Sequence, residues 1–300
     1  MNVNFTKDAL LETTPVFSVE ARYKIMLPEI ILSYKNEIIS SNEIEKFMFK
    51  ELKVLGDYKM LTGGRVSSVY KIKQGSQEKV LKFSAGLYRM TELKREAQVL
   101  RYLVNKGFEH IIPYIRSFKM LDNFAYIVED YIEGISVREK LSATNSTKER
   151  IKIWESIGQA ISEIHRLYQD EDIYDEWMKG QLEIARLNME NDLLDSEEFQ
   201  EETPERMLLW LMSNKPRRKR VSILHGDFRT KNIIINNEEN YKIIDWGFVD
   251  IGDPYYDLAI IDYYFKDSLA RESFYRGYNE NKYDKDLIEY FDKLSKFINV

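Results

Sequence analysis

Along residues 221–259 three short apolar runs, Val221-Ser-Ile-Leu224, Ile233-Ile-Ile235 and Tyr241-Lys-Ile-Ile244, are separated by Gly, Asn-Asn and Glu-Glu-Asn. Runs this short, rich in β-branched residues and bounded by turn formers, predict strands joined by tight turns, each ending on a carboxylate or amide. Upstream, Tyr58–Leu61, Ser67–Ile72 and Lys79–Phe83 predict three antiparallel strands, with Gly63-Gly64 in the first turn. The apolar spacing then lengthens. Ser41–Leu52 reads as a capped helix and Arg89–Leu103 as a second one, while Phe124–Gly134 reads as a buried strand running into glycine, with a helix starting at Ser136. Over 148–167, Ile151, Trp154, Ile157, Ile161, Ile164 and Leu167 share one helical face, which predicts a core helix. Residues 168–213 have a helical, acid-rich texture, and their charges read as a solvated face. Strand groups at 58–83 and 221–244, with helical segments between them, read as an α+β chain.

Composition narrows the class. With 300 residues, 44% apolar and 13% aromatic, the chain can bury a substantial core. The absence of cysteine excludes disulfides, thiolate zinc sites and cysteine nucleophiles. A net charge of -6 argues against a general nucleic-acid binder. No basic-then-apolar leader stands at Met1–Asp8 and no apolar run approaches a membrane span, so a cytoplasmic protein without membrane or nucleic-acid partners is expected. Residues 1–40, with Pro15 and Pro28 as boundaries, read as an amino-terminal extension. A monomer is expected, with a dimer contact through that arm left open.

The polar residues between the apolar runs carry the chemistry. Asp227 follows His225-Gly226, Asn232 stands five residues later, and Asp245 opens Asp245-Trp246-Gly247. This order matches the protein-kinase pattern of a catalytic-loop Asp that takes the proton of the attacking hydroxyl, then an Asn and an Asp that hold magnesium. Magnesium takes hard oxygen ligands, and one or two from the protein suffice when phosphates and water supply the rest. Only eleven residues lie between Asp245 and Asp257, and no Ala-Pro-Glu follows, which leaves no room for an activation loop that cradles a peptide. A small-molecule acceptor is therefore expected.

Together His225–Asn232, Ile244–Gly247 and Gly252–Ala259 resemble the aminoglycoside phosphotransferase and choline kinase family. The resemblance implies a bilobal protein-kinase-like fold, with a small lobe of antiparallel sheet and helix at 41–130 and a larger, mostly helical lobe at 131–300. It also implies phosphorylation of a small-molecule hydroxyl with ATP or GTP and Mg2+, and a buttressing role for Asp257 under the catalytic loop. In this frame the Gly63-Gly64 turn covers the nucleotide, with Ser67 or Ser68 donating to a phosphate. Lys82, flanked by apolar residues in its strand, aligns the phosphates. Its partner is Glu96 of the next helix, in preference to Glu92 one turn earlier. Main-chain groups near Glu129, Asp130 and Tyr131 read the nucleobase. Arg229 and Lys231 are candidates to neutralise the transferring phosphoryl group, and His165 is expected to be structural. The expected acceptor is an aminoglycoside or related antibiotic. The alternatives are choline, a sugar amine or another metabolic alcohol, or a silent nucleotide-binding module.

Overall fold

A computed structural model gives the fold, and it describes residues 46–48, 50–52, 54, 58–63, 68–122, 124–167, 173–217, 220–236, 240–279 and 283–298. Two compact units divide the chain: one takes the described residues up to Glu133 together with Lys242–Gly247, the other Gly134–Tyr241 and Phe248 onward. The expected lobe boundary at 130/131 lies three residues before this division, and the return of 242–247 to the first unit was not expected from sequence.

The first unit is built on strands β1 (Lys59–Gly63), β2 (Ser68–Gln74), β3 (Gln77–Ala85), β4 (Ile115–Met120) and β5 (Phe124–Asp130), with helix α1 (Leu87–Asn105) between β3 and β4. The sheet order is β1-β2-β3-β5-β4, with every neighbouring pair antiparallel. Alternation along β3 and β5 sorts the side chains. Tyr70, Ile72, Leu81, Phe83, Tyr126 and Val128 enter one apolar cluster with Met48, Leu52 and Val54. Phe83 and Phe124 stack there at 4.6 Å. Side chains in a strand switch face at every residue, so Val80, Lys82, Ile127 and Glu129 fall on the opposite face, which packs against α1. That is why a lysine and a glutamate are buried here: the strand period leaves them no other face.

The second unit is mostly helical: α2 (Val137–Ala143), α3 (Thr147–His165), α4 (Tyr174–Glu190), α5 (Pro204–Ser213), α6 (Tyr255–Asp262), α7 (Ser268–Tyr278) and α8 (Lys285–Ile298). The apolar stripe foreseen on α3 is buried at Trp154, Ile157, Ile161 and Ile164, while Ile151 and Leu167 are half-buried. Its neighbour α7 comes very close, because a Cβ on Gly158 would stand 2.1 Å from the Phe274 carbonyl oxygen and one on Gly277 1.9 Å from that of Glu155. Leu287, Tyr290, Phe291, Leu294 and Phe297 bury one face of α8 at helical spacing. Each fully buried Leu or Phe there contributes about 1.5–3 kcal/mol.

The turn expected after Ile233–Ile235 is closed by the Asn236 N–H on the Asn240 carbonyl at 3.1 Å, and two short strands pair with partners distant in sequence. Strand β7 (Ser222–Leu224) pairs antiparallel with β10 (Asp250–Gly252), and β8 (Ile233–Ile235) pairs antiparallel with β6 (Ile135–Ser136). Gly134, at φ 151°, opens β6, and an added Cβ would meet the Ile235 carbonyl oxygen at 2.3 Å. Ser136 and Glu139 then cap α2 reciprocally, with Ser136 N–H to Glu139 Oε2 at 2.8 Å and Glu139 N–H to Ser136 Oγ at 3.2 Å. Among the described residues no helix is long and apolar enough to cross a membrane.

Candidate active site

In the first unit two carboxyl groups converge on one ammonium. Lys82 Nζ is buried, pairs with Glu96 Oε1, and lies 3.5 Å from Glu129 Oε1. Glu96 also accepts the Trp246 N–H at 3.2 Å, which ties β9 (Tyr241–Ile243) and the Asp245-Trp246-Gly247 turn after it to α1. Burial alone would lower the Lys82 pKa, but Glu129, Glu96 and Asp245 outweigh it and raise it above the ordinary lysine value. Asp245 has a left-handed backbone at φ 66° and an exposed side chain. A non-glycine residue pays roughly 1 kcal/mol or more for that conformation, a strain typical of functional turns.

Glu129 stands beside Lys82 through its side chain. It was expected to act through its main chain, yet its backbone is taken up in the β5 ladder opposite Val80 and Ile115. Its side chain is the informative part, 3% exposed with Oε2 lacking any hydrogen-bond partner. The Asp130 N–H donates to the Tyr114 carbonyl at 3.0 Å and the Tyr131 N–H to that of Glu78 at 3.4 Å, so these donors are occupied as well. The first main-chain N–H after them with no partner among the described residues belongs to Ile132. Ser68 sits in β2 opposite Gly63 and Phe83, and Ser67 lies outside the described residues. Glu92, the rival of Glu96, pairs instead with Arg95 at 3.0 Å.

Burial pushes the Glu129 carboxyl up from 4.5 to about 7, with Glu96 and Asp245 adding to it and Lys82 opposing. A carboxyl that holds its proton in the fold and releases it in the unfolded chain loses stability as pH rises between the two values. The melting temperature of the natural protein is therefore expected to fall relative to Glu129→Gln from pH 4.5 to about 7 and to run parallel above that. Parallel melting curves across the whole range would remove the titration from this site.

In the second unit the catalytic-loop segment is fixed from below. Asp257, fully buried at the start of α6, accepts the N–H of His225 at 2.6 Å and of Gly226 at 2.8 Å, and His165 Nε2 stands 3.1 Å from it. His165 Nδ1 reaches the Tyr278 hydroxyl at 2.9 Å, so this histidine is held on both nitrogens and is structural. Gly226 adopts φ 80°, and a Cβ there would lie 2.0 Å from the Phe248 carbonyl oxygen. Only glycine fits this bend.

The bend presents Asp227, 7% exposed. Its Oδ2 accepts Asn232 Nδ2 at 2.9 Å, Arg229 Nε pairs with Oδ1, and Lys231 Nζ lies 3.7 Å from Oδ2. Asn232 Nδ2 also reaches the Asp227 carbonyl at 2.9 Å, so its amide is oriented with Oδ1 left free to accept or ligate. The amide oxygen of Asn232 and the exposed carboxylate of Asp245 are hard donors of the kind magnesium takes. Among the described residues no group of three or more His, Cys, Asp or Glu could hold a metal ion.

Several known proteins are similar to this chain. The aminoglycoside 3'-phosphotransferase of Streptomyces fradiae is 22% identical over 220 residues, covering 69% of this chain and 80% of that protein. The structure of an aminoglycoside-3'-phosphotransferase of type VIII superposes with a TM-score of 0.67 at 20% identity, over 86% of this chain and 100% of the other. That of spectinomycin phosphotransferase with ADP and spectinomycin gives 0.61 at 19% identity, over 86% and 85%. Against mouse acyl-CoA dehydrogenase family member 10, at 24% identity over 217 residues and 69% of this chain, the match spans only 20% of that protein. The solved neighbours share the kinase-like fold. The phosphotransferase enzyme family matches residues 57–286, and the chain belongs to that family of kinase-type transferases.

Proposed function

We propose that this protein transfers the γ-phosphoryl group of ATP or GTP to a hydroxyl of a small molecule. The observation that carries the reading is the Asp227 loop: a carboxylate raised on a glycine-only bend, buttressed by Asp257 and held by the Asn232 amide. Asp227 would orient the acceptor hydroxyl and take its proton. In phosphoryl transfer little covalent work falls to the protein, so a positioned carboxylate of ordinary basicity serves. Lys82, held by Glu96, would align the α- and β-phosphates, and Ser68 at the end of the first turn would approach them. The Ile132 N–H is the main-chain donor available to a nucleobase. Asn232 and Asp245 would each give an oxygen to magnesium, which neutralises charge on the nucleotide phosphates.

For the acceptor, the relatives' names point to an aminoglycoside. A metabolic alcohol is the second reading, and the cationic side chains around Asp227 favour it. The test is ADP or GDP release by the full chain with magnesium and ATP or GTP over a panel of aminoglycosides, choline, sugar amines and other alcohols. Acceptor-dependent release that falls to background when EDTA removes magnesium is the expected result. Bound nucleotide with no release for any acceptor would leave a nucleotide-binding module in place of a transferase.

A further inference from the structure

The polar groups around Asp227 are nearly all donors. Arg229 pairs with Asp227, with Nε the nearest nitrogen to Oδ1. Its two Nη nitrogens have no hydrogen-bond partner among the described residues, so the fork of the guanidinium is unfilled. Among the described residues Lys231 has only the 3.7 Å approach to Asp227, and its side chain is 48% exposed. Arg138 on α2 is exposed and makes no side-chain hydrogen bond or ion pair within the described residues. Its charge and those of Arg229 and Asp227 all act on the half-buried Tyr264 phenol, whose pKa burial raises while the two arginines oppose the rise. That phenol likewise has no hydrogen-bond partner among the described residues. Two cations, Arg229 and Lys231, thus stand against a single carboxylate.

The neighbouring acids do not offset them. Asp250 accepts from Trp177 Nε1 at 3.3 Å, Gln181 Nε2 at 3.2 Å and its own chain at Ile251. Asp257 is spent on the loop amides, and Asp262 is paired bidentately with Arg271 at 2.8 and 2.9 Å. Among the described residues, Asp250, Asp257 and Asp262 are thus engaged and do not offer their carboxylates to a polycationic acceptor. An unfilled guanidinium fork matches the paired oxygens of a carboxylate or phosphate.

We infer that the acceptor carries an anionic group, a carboxylate or a phosphate ester, close to the hydroxyl that is phosphorylated, and that Arg229 and Lys231 hold it. The inference rests on the phosphotransferase reading and names the substrate class of that same site. The cations bring a negatively charged acceptor to a negatively charged donor, whose mutual repulsion would otherwise exclude it. As the acceptor oxygen attacks, its proton passes to Asp227, the new O–P bond forms, and the bond from the γ-phosphorus to the bridging oxygen breaks. The nucleoside diphosphate leaves with the electron pair, and no further reactant is needed.

The experiment measures ADP release from Mg·ATP with acceptors matched in shape and differing in charge: glycerate against glyceramide and glycerol, glucose 6-phosphate against glucose, and choline and kanamycin as cations. An anionic member at least tenfold better in kcat/KM than its neutral counterpart is expected, and which set responds separates carboxylate from phosphate. Arg229→Gln and Lys231→Gln are expected to collapse that ratio through KM of the anionic acceptor. Equal or better use of neutral or cationic acceptors overturns the inference and leaves the phosphotransferase reading intact. So does an equal loss of kcat for all acceptors in both variants, which would assign the cations to the phosphoryl group in flight. No acceptor-dependent release from any charge class overturns both.

Discussion

Asp227→Asn is expected to lower kcat by about a thousandfold, the usual worth of a positioned general base. Asparagine keeps the size of the side chain and still offers an oxygen to Asn232 Nδ2, now 2.9 Å from Asp227 Oδ2. What it loses is the capacity to take a proton and the charge that engages Arg229. Nucleotide affinity is expected to change by less than about threefold, because Lys82, Glu96 and Glu129 belong to the other unit and are untouched. Steady-state turnover beside nucleotide titration of the same preparation checks both statements. A variant that retains more than a tenth of the natural rate would remove Asp227 from the role of base.

Asp257→Ala should be the most destabilising single change in the loop. The carboxylate is 0% exposed and receives two backbone N–H groups besides facing His165. Truncation strands both amides in a dry interior, at about 1–3 kcal/mol each. A total near 4 kcal/mol corresponds to a melting temperature lower by roughly 10 °C at this chain length. Asp257→Asn keeps one acceptor oxygen and should recover part of the loss. A shift of under 2–3 °C in Asp257→Ala would mean that water replaces the carboxylate, so the loop would owe its shape to Gly226 and the β7–β10 ladder.

Much of this was readable from the chain. The order Asp227, Asn232, Asp245 is a local signature, alternation in Lys79–Phe83 points to Lys82, and the resemblance of Glu96–Leu100 to the family's helix favours Glu96. The choice between Glu92 and Glu96 is a matter of helix phase, and the structure pairs them with Arg95 and Lys82 respectively. The reading fell short where the deciding contact is far off in sequence. A three-residue strand such as Ser222–Leu224 carries no mark of its partner, so its ladder with Asp250–Gly252 could not be foreseen. The glycines of α3 and α7 give no hint in either helix of how closely the two approach. At Glu129–Tyr131 the strand was identified, but its hydrogen bonds continue further than expected. That moves the free donor to Ile132 and leaves the Glu129 side chain as the feature that matters.

The return of Lys242–Gly247 to the first unit has a consequence for any attempt at modular exchange. The backbone passes from one unit to the other three times, after Glu133, after Tyr241 and after Gly247. A fragment ending at Glu133 loses the Ile243 N–H bond to the Ile111 carbonyl at 2.7 Å, the Lys242 ammonium on the Glu109 and Ile112 carbonyls, and the Trp246 N–H on Glu96. A chimaera that swaps the second unit with a relative's at one junction would therefore import a foreign turn beneath its own Lys82–Glu96 pair. Three crossover points, one on each side of 242–247 and one after Glu133, are the minimum for a hybrid that keeps each half's own contacts.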